Sequence, residues 1–199
     1  MTRVIAGTAG GRRLAVPPGR TTRPTSDKAR EAMFSTLQAL RGTLHGARML
    51  DLFGGSGAVG LEALSRGAAH VLLVEADASA ARVIRENVRT IALPGAEVRA
   101  DKAERVIAGQ APQVPYDLVF LDPPYSVTDD EVREMLITLL AGGWLDEEVL
   151  VTVERSTRGG EFGWPEGFEP VRSRRYGEGT LWYGRAASDS GDDADGGAP

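Results

Sequence analysis

A chain of 199 residues, 42% hydrophobic, with no cysteine, two histidines and a net charge of −5, has the size of one α/β domain with a single sizeable core. Without cysteine there is no disulfide, thiolate metal site or cysteine nucleophile, and His45 and His70 lack histidine or carboxylate neighbours at ligand spacing, so no metal is expected. No stretch approaches the roughly 20 apolar residues of a membrane helix and no apolar leader opens the chain, so the expectation is a cytoplasmic protein without membrane contact.

The mean charge hides an asymmetry. Met1 to Arg48 hold nine Lys or Arg against two acids, whereas Met49 to Arg185 hold fourteen against twenty-two. A basic arm ahead of an acidic globule is a footprint for binding phosphates. Within the arm, Val4-Ile5-Ala6 and Leu14-Ala15-Val16 flank a glycine-rich turn, which predicts a small hairpin fringed by Arg3, Arg12, Arg13, Arg20 and Arg23. The planar fork of arginine suits phosphate oxygens and base edges. Thr25-Ser26-Asp27 then opens a helix, with a capping side chain and an acid in the first turn. Ala29, Met33, Leu37 and Leu40 form its apolar stripe, so the helix docks on the main domain and carries Lys28 and Arg30 toward any cleft there. Residues 1–46 read as this N-terminal unit, 47–185 as the main domain, and 186–199, rich in Gly and Asp and nearly free of apolar residues, as a disordered acidic tail.

From Ala47 onward strand and helix patterns alternate, the signature of a doubly wound parallel sheet. Strands are predicted at Arg48–Phe53, Val71–Glu75, Glu97–Asp101, Tyr116–Leu121 and Val149–Arg155. Helices are predicted at Val59–Arg66, after Asp77, and after Tyr125, where Val132, Met135, Leu136, Leu139 and Leu140 share one face. Val171–Tyr176 and Thr180–Arg185 pair as a closing hairpin across Gly177-Glu178-Gly179.

Two strand ends carry chemistry. After the first, Asp51-Leu52-Phe53-Gly54-Gly55-Ser56-Gly57 makes a glycine loop, and Gly55, Gly57 and Gly60 formally spell the dinucleotide fingerprint. Asp51 argues against a pyrophosphate, which a carboxylate repels. S-adenosylmethionine carries an ammonium and a sulfonium and no phosphate, and fits the acid. Glycines at 54, 55 and 57 allow close backbone approach, Glu75 at the second strand end is placed for ribose hydroxyls, and Asp101 at the third for an adenine amine. After the fourth strand come Asp122-Pro123-Pro124-Tyr125. The prolines stiffen the exit and leave carbonyls able to accept; an acid, an outward carbonyl and an aromatic plate together grip a planar group bearing an NH2. A nucleobase is such a group, stacked on Tyr125.

These residues resemble the cofactor and catalytic motifs of S-adenosylmethionine-dependent methyltransferases that modify exocyclic amines. Arg3-Val4-Ile5-Ala6-Gly7, Gly11-Arg12-Arg13-Leu14 and Arg23-Pro24-Thr25-Ser26-Asp27-Lys28-Ala29-Arg30-Glu31 are similar to the bacterial 16S ribosomal RNA guanine-N2 methyltransferase family that acts on guanine 966. The resemblance, from Arg3 to about Arg185, implies a Rossmann-like, seven-stranded class I methyltransferase sheet with a reversed last strand and a basic N-terminal hairpin. It further implies S-adenosyl-L-methionine as cofactor and 16S rRNA or the small ribosomal subunit as partner; a monomer is expected, though the sequence does not itself fix the oligomeric state. It departs from the family pattern in Gly55, where alanine is frequent, and in the acidic tail. DNA adenine-N6 methylation uses the same four-residue grip but needs a recognition domain that no segment here is long enough to form. Methylation of a protein glutamine amide would not require the arginine fringe, and a nicotinamide oxidoreductase or a nucleotide-binding protein without catalysis would use the glycine loop alone.

Overall fold

The computed structural model describes residues 2–18 and 26–187; Arg20, Arg23, Thr25 and the acidic tail from 188 lie outside the described residues. At the N-terminus, β1 (Thr2–Arg3) pairs antiparallel with β2 (Arg13–Leu14). This hairpin is shorter than the predicted one, for a physical reason. The Ile5 and Ala6 amides donate to the Glu62 carboxylate, at 2.6 and 3.0 Å, and the Ala15 amide donates to Asn87 Oδ1 at 2.8 Å. The two predicted runs thus hydrogen-bond to the body of the protein instead of to each other. Helix α1 (Asp27–Arg41) follows, with Ser26 Oγ accepting from the Ala29 amide as its cap.

The remaining elements are β3 (Arg48–Asp51), α2 (Ala58–Ser65), β4 (His70–Val74), α3 (Ala78–Ile91), β5 (Ala96–Arg99), α4 (Ala103–Ile107), β6 (Tyr116–Leu121), α5 (Asp129–Ala141), β7 (Leu145–Ser156), a short 3-10 turn at Thr157–Gly159, β8 (Phe168–Tyr176) and β9 (Gly179–Ala186). Seven strands form one sheet in the order β5-β4-β3-β6-β7-β9-β8. Strands β3 to β7 pair in parallel, and β9 runs antiparallel to both its neighbours. The reversed last strand and the mixed α/β sheet agree with the expected fold. Helix α4, five residues long, had no sequence counterpart, being too short to show a period.

Side chains alternate across the strands and so feed two cores. Met49, Val71, Leu73, Leu118 and Phe120 face α1, α2 and α3, and the same cluster takes in Val4 and Leu14 from the arm. Leu50, Leu72, Val119, Leu121 and Val151 face α4 and α5. The arm is therefore packed into the main core. On α5, Leu140 is exposed, against its predicted place in the buried stripe.

Gly60 lets α2 lie close on β4: a Cβ there would stand 2.6 Å from Leu73 Cδ2 and 2.7 Å from Val71 Cγ1. Gly60→Ala is expected to cost about 1–3 kcal/mol of stability through overpacking, measured by denaturant unfolding; an unchanged midpoint would show that this packing yields.

Candidate active site

In this strand order, β4 and β5 extend from one side of β3, while β7, β9 and β8 extend from the far side of β6. The carboxyl ends of β3 and β6 therefore flank the point where the topology switches direction, where open α/β sheets bind ligands. Asp51 ends β3 in register with Phe120, and Asp122 follows the last residue of β6. Two carboxylates thus sit at the carboxyl ends of two neighbouring central strands. Asp51 is only 1% exposed.

The glycine loop is folded back on the sheet. The Gly54 amide donates to the Val74 carbonyl at 2.8 Å and the Gly57 amide to the Gly54 carbonyl at 2.7 Å. Gly57, at φ 80°, takes a left-handed conformation to start α2, the region that favours glycine. Its Cβ would meet Ile84, as would that of Gly54, so these two glycines let the loop pack on α3. Glu75 is buried behind the loop and accepts from the Gly55 amide at 2.8 Å and the Asp77 amide at 2.9 Å. The Glu75 side chain does not itself line the cleft between these strand ends.

A cleft of about 820 Å³ opens here. Asp51, Phe53, Gly54, Gly55 and Ser56 line one wall, and Asp122, Pro123, Pro124 and Tyr125 line another. Tyr125 stands 74% exposed, a ring presented to whatever enters. The Pro124 carbonyl accepts from the Val127 amide at 2.9 Å. Arg155 fastens the segment that follows: its Nε lies 2.6 Å from Asp129 Oδ1 and its Nη2 donates to the Val127 carbonyl at 2.8 Å. The rigid exit expected from the two prolines is thus reinforced from β7.

Several expected site residues stand elsewhere. Asp101 lies beyond β5 and does not line the cleft; it accepts from the Lys102 amide at 2.7 Å and lies 3.6 Å from Arg105. Arg30 needs correction as an RNA contact, because it is fully buried. It ion-pairs with Asp27 at 3.1 Å and Glu62 at 3.8 Å, and donates to the Arg3 carbonyl. Burial lowers its pKa, and Glu62 and then Asp27 oppose that shift. Arg3 pairs with Asp27 at 3.3 Å, and Arg12 donates to the Ile91 carbonyl at the end of α3, at 2.8 Å. Arg13 is exposed, and exposed Lys28 lines the cleft.

The opposite walls escaped sequence reasoning. Val16 and Pro17 from the arm, Glu154, Arg155 and Ser156 at the end of β7, and the β8–β9 turn from Arg175 to Gly179 complete the cleft. The polar Glu-Arg-Ser end of an otherwise apolar strand and the Gly-Glu-Gly turn were the signals available. His70 belongs to the other end of the sheet. Its Nε2 is 3.5 Å from the Tyr116 hydroxyl, which burial pushes up to about 12. Among the described residues no group of three or more His, Cys, Asp or Glu could hold a metal ion, and no helix is long and apolar enough to cross a membrane.

A family model described as conserved hypothetical protein 95 matches residues 2–185. Ribosomal RNA small subunit methyltransferase D of Escherichia coli (strain K12) is 37% identical over 158 residues, which cover 79% of this chain and 76% of that protein. The candidate rRNA methyltransferase YlbH of Bacillus subtilis (strain 168) is 36% identical over 154 residues, 76% of this chain and 81% of the relative. Among solved structures, the candidate methyltransferase yhhF from Escherichia coli superposes with a TM-score of 0.80 at 32% identity, covering 92% of this chain and 97% of that one.

Proposed function

Because the chain belongs to the conserved hypothetical protein 95 family, whose matched relatives carry rRNA methyltransferase names, we propose that it is an rRNA methyltransferase that transfers a methyl group from S-adenosylmethionine to the exocyclic N2 amine of a guanine in small-subunit 16S rRNA. The observation that carries this reading is the juxtaposition of Asp51 and Asp122-Pro123-Pro124-Tyr125 across the topological switch point, in one cleft.

The donor set suits this cofactor. Asp51 and Glu75 are carboxylates beside a glycine loop, chemistry that attracts an ammonium and accepts from hydroxyls while repelling a pyrophosphate. Asp51, Phe53 and the loop would hold the amino-acid end, with Glu75 toward the ribose. When bound, the cofactor supplies an electrophilic methyl on a sulfonium.

The chain's own residues prepare the amine. A guanine N2 lone pair is delocalised into the ring, so the amine is a weak nucleophile. Hydrogen bonds from its two protons to the Asp122 carboxylate and the Pro123 carbonyl draw the nitrogen toward tetrahedral geometry and aim its lone pair. Positioning of this kind supplies up to roughly 7–11 kcal/mol in effective-molarity terms. The Asp122 carboxylate also faces the positive charge that develops on nitrogen. Tyr125 holds the unstacked base by its face.

Incubation with labelled S-adenosylmethionine and, separately, unmethylated 16S rRNA, small subunits and duplex DNA tests the substrate class. Label in ribosomal substrates and not in duplex DNA is expected; label in DNA alone contradicts the reading. Tyr125→Ala, at an exposed position, is expected to leave stability unchanged and to weaken RNA binding by about 1–3 kcal/mol, the worth of one base stack. An unaltered KM for RNA would remove Tyr125 from base recognition.

A further inference from the structure

Among the described residues, three of the four arginines expected to face RNA are committed within the fold. Arg3 pairs with Asp27, Arg30 with Asp27 and Glu62, and Arg12 caps the end of α3. Besides Arg13 and Lys28, exposed basic charge is presented by β8. Arg172, Arg174 and Arg175 are all exposed, and among the described residues none of them is in an ion pair. β8 is an edge strand, bonded only to β9.

The register orders this charge. Arg172 lies opposite Tyr183 and Arg174 opposite Leu181, and both partners belong to the core cluster that α1 completes. The two arginines therefore share one face of the strand, about 6.7 Å apart along it. Two residues further on the same face comes Tyr176, which lines the cleft, and beside it Arg175 lines the cleft as well. A row of cations thus leads along the sheet edge to the rim of the cleft. A nucleotide held in that cleft has a ribose-phosphate backbone that must leave it on either side, and guanidiniums without internal acids are suited to its phosphates.

We infer that the outer edge of β8 is an RNA-contacting surface, in which Arg172 and Arg174 bind phosphates of the strand flanking the target nucleotide. This rests on the reading of the chain as an rRNA methyltransferase. Edge-strand arginines also serve to prevent strand-to-strand association, and the two roles give different results.

The test is Arg172→Gln with Arg174→Gln, compared with the wild-type chain and with the double lysine replacement, which keeps the charge. Binding of a small-subunit rRNA fragment is measured across salt concentration, together with methyl-transfer kinetics, S-adenosylmethionine affinity and sedimentation. The glutamine variant is expected to flatten the log–log salt slope by about 1.4, two contacts at about 0.7 each for a single strand. It is also expected to raise KM for RNA with kcat and cofactor affinity retained, while the lysine variant keeps most of the slope. A slope and KM equal to wild type overturn the inference; if the variant also self-associates, the arginines are edge guards. Failure of the wild-type chain to methylate RNA would instead overturn the parent reading, and this inference with it.

Discussion

Asp122→Ala is expected to lower kcat for RNA methylation by roughly two to three orders of magnitude or more, the scale set by removing one group aimed at developing charge, with S-adenosylmethionine affinity nearly unchanged. Asp122 follows β6 on the wall of the cleft where Pro123 and Tyr125 also stand, while the wall proposed for the cofactor is built from Asp51 and the glycine loop of the neighbouring strand. Removing the carboxylate takes away the acceptor that orients the amine and leaves the other wall as it was. Single-turnover kinetics and calorimetric titration of the cofactor separate the two effects. Loss of cofactor binding with chemistry intact at saturation would move Asp122 to the cofactor site.

The second large effect concerns stability. Glu62 on α2 is fully buried and surrounded by cation and amide donors: Arg66 Nε at 2.7 Å, Arg30 Nε at 3.8 Å, and the Ile5 and Ala6 amides. Arg66 in turn reaches Glu31 at 2.6 Å. This one carboxylate ties the N-terminal segment, α1 and α2 together. Glu62→Ala leaves Arg30 buried with less compensation and two amides without their acceptor. Breaking a buried pair from one side costs about 3–5 kcal/mol, which for a chain of this size lowers Tm by roughly 6–20 °C. Thermal unfolding monitored by circular dichroism reads the shift. A change within one or two degrees would mean that the network is worth little beyond its own desolvation.

The centre of the sheet was legible because β3, β4 and β6 are short apolar runs followed or ended by an acid, and a strand buried on both faces has little freedom to read otherwise. The placing of the candidate site at two strand ends was legible for the same reason. Asp51 and Asp122 end such runs, and parallel topology brings the ends of β3 and β6 together whatever the sequence distance between them. What escaped was tertiary. Arg30 was taken for an RNA contact from its charge and neighbours, yet it sits at i, i+3, i+4 and i+7 spacing with Met33, Phe34 and Leu37 on the buried face of α1; the period carried the answer, but of the two acids that offset burial of its guanidinium, Asp27 is local and Glu62 lies 32 residues away in sequence. Asp101 was read as the last residue of a strand that ends two residues earlier, at Arg99. The N-terminal hairpin was displaced because Glu62 and Asn87 accept or donate where strand partners were expected, and side-chain hydrogen bonds across 57 and 72 residues leave no local pattern.

Identification of the methylated nucleoside tests the central claim most directly. Unmethylated small ribosomal subunits are incubated with the protein and S-adenosylmethionine, and the RNA is digested to nucleosides and resolved by mass against standards. N2-methylguanosine is expected, present with the wild-type chain and absent with Asp122→Ala. A methyl group found instead on adenine N6, on a ribose oxygen or on a ribosomal protein would contradict the assignment of the Asp122-Pro123-Pro124-Tyr125 grip to a guanine amine.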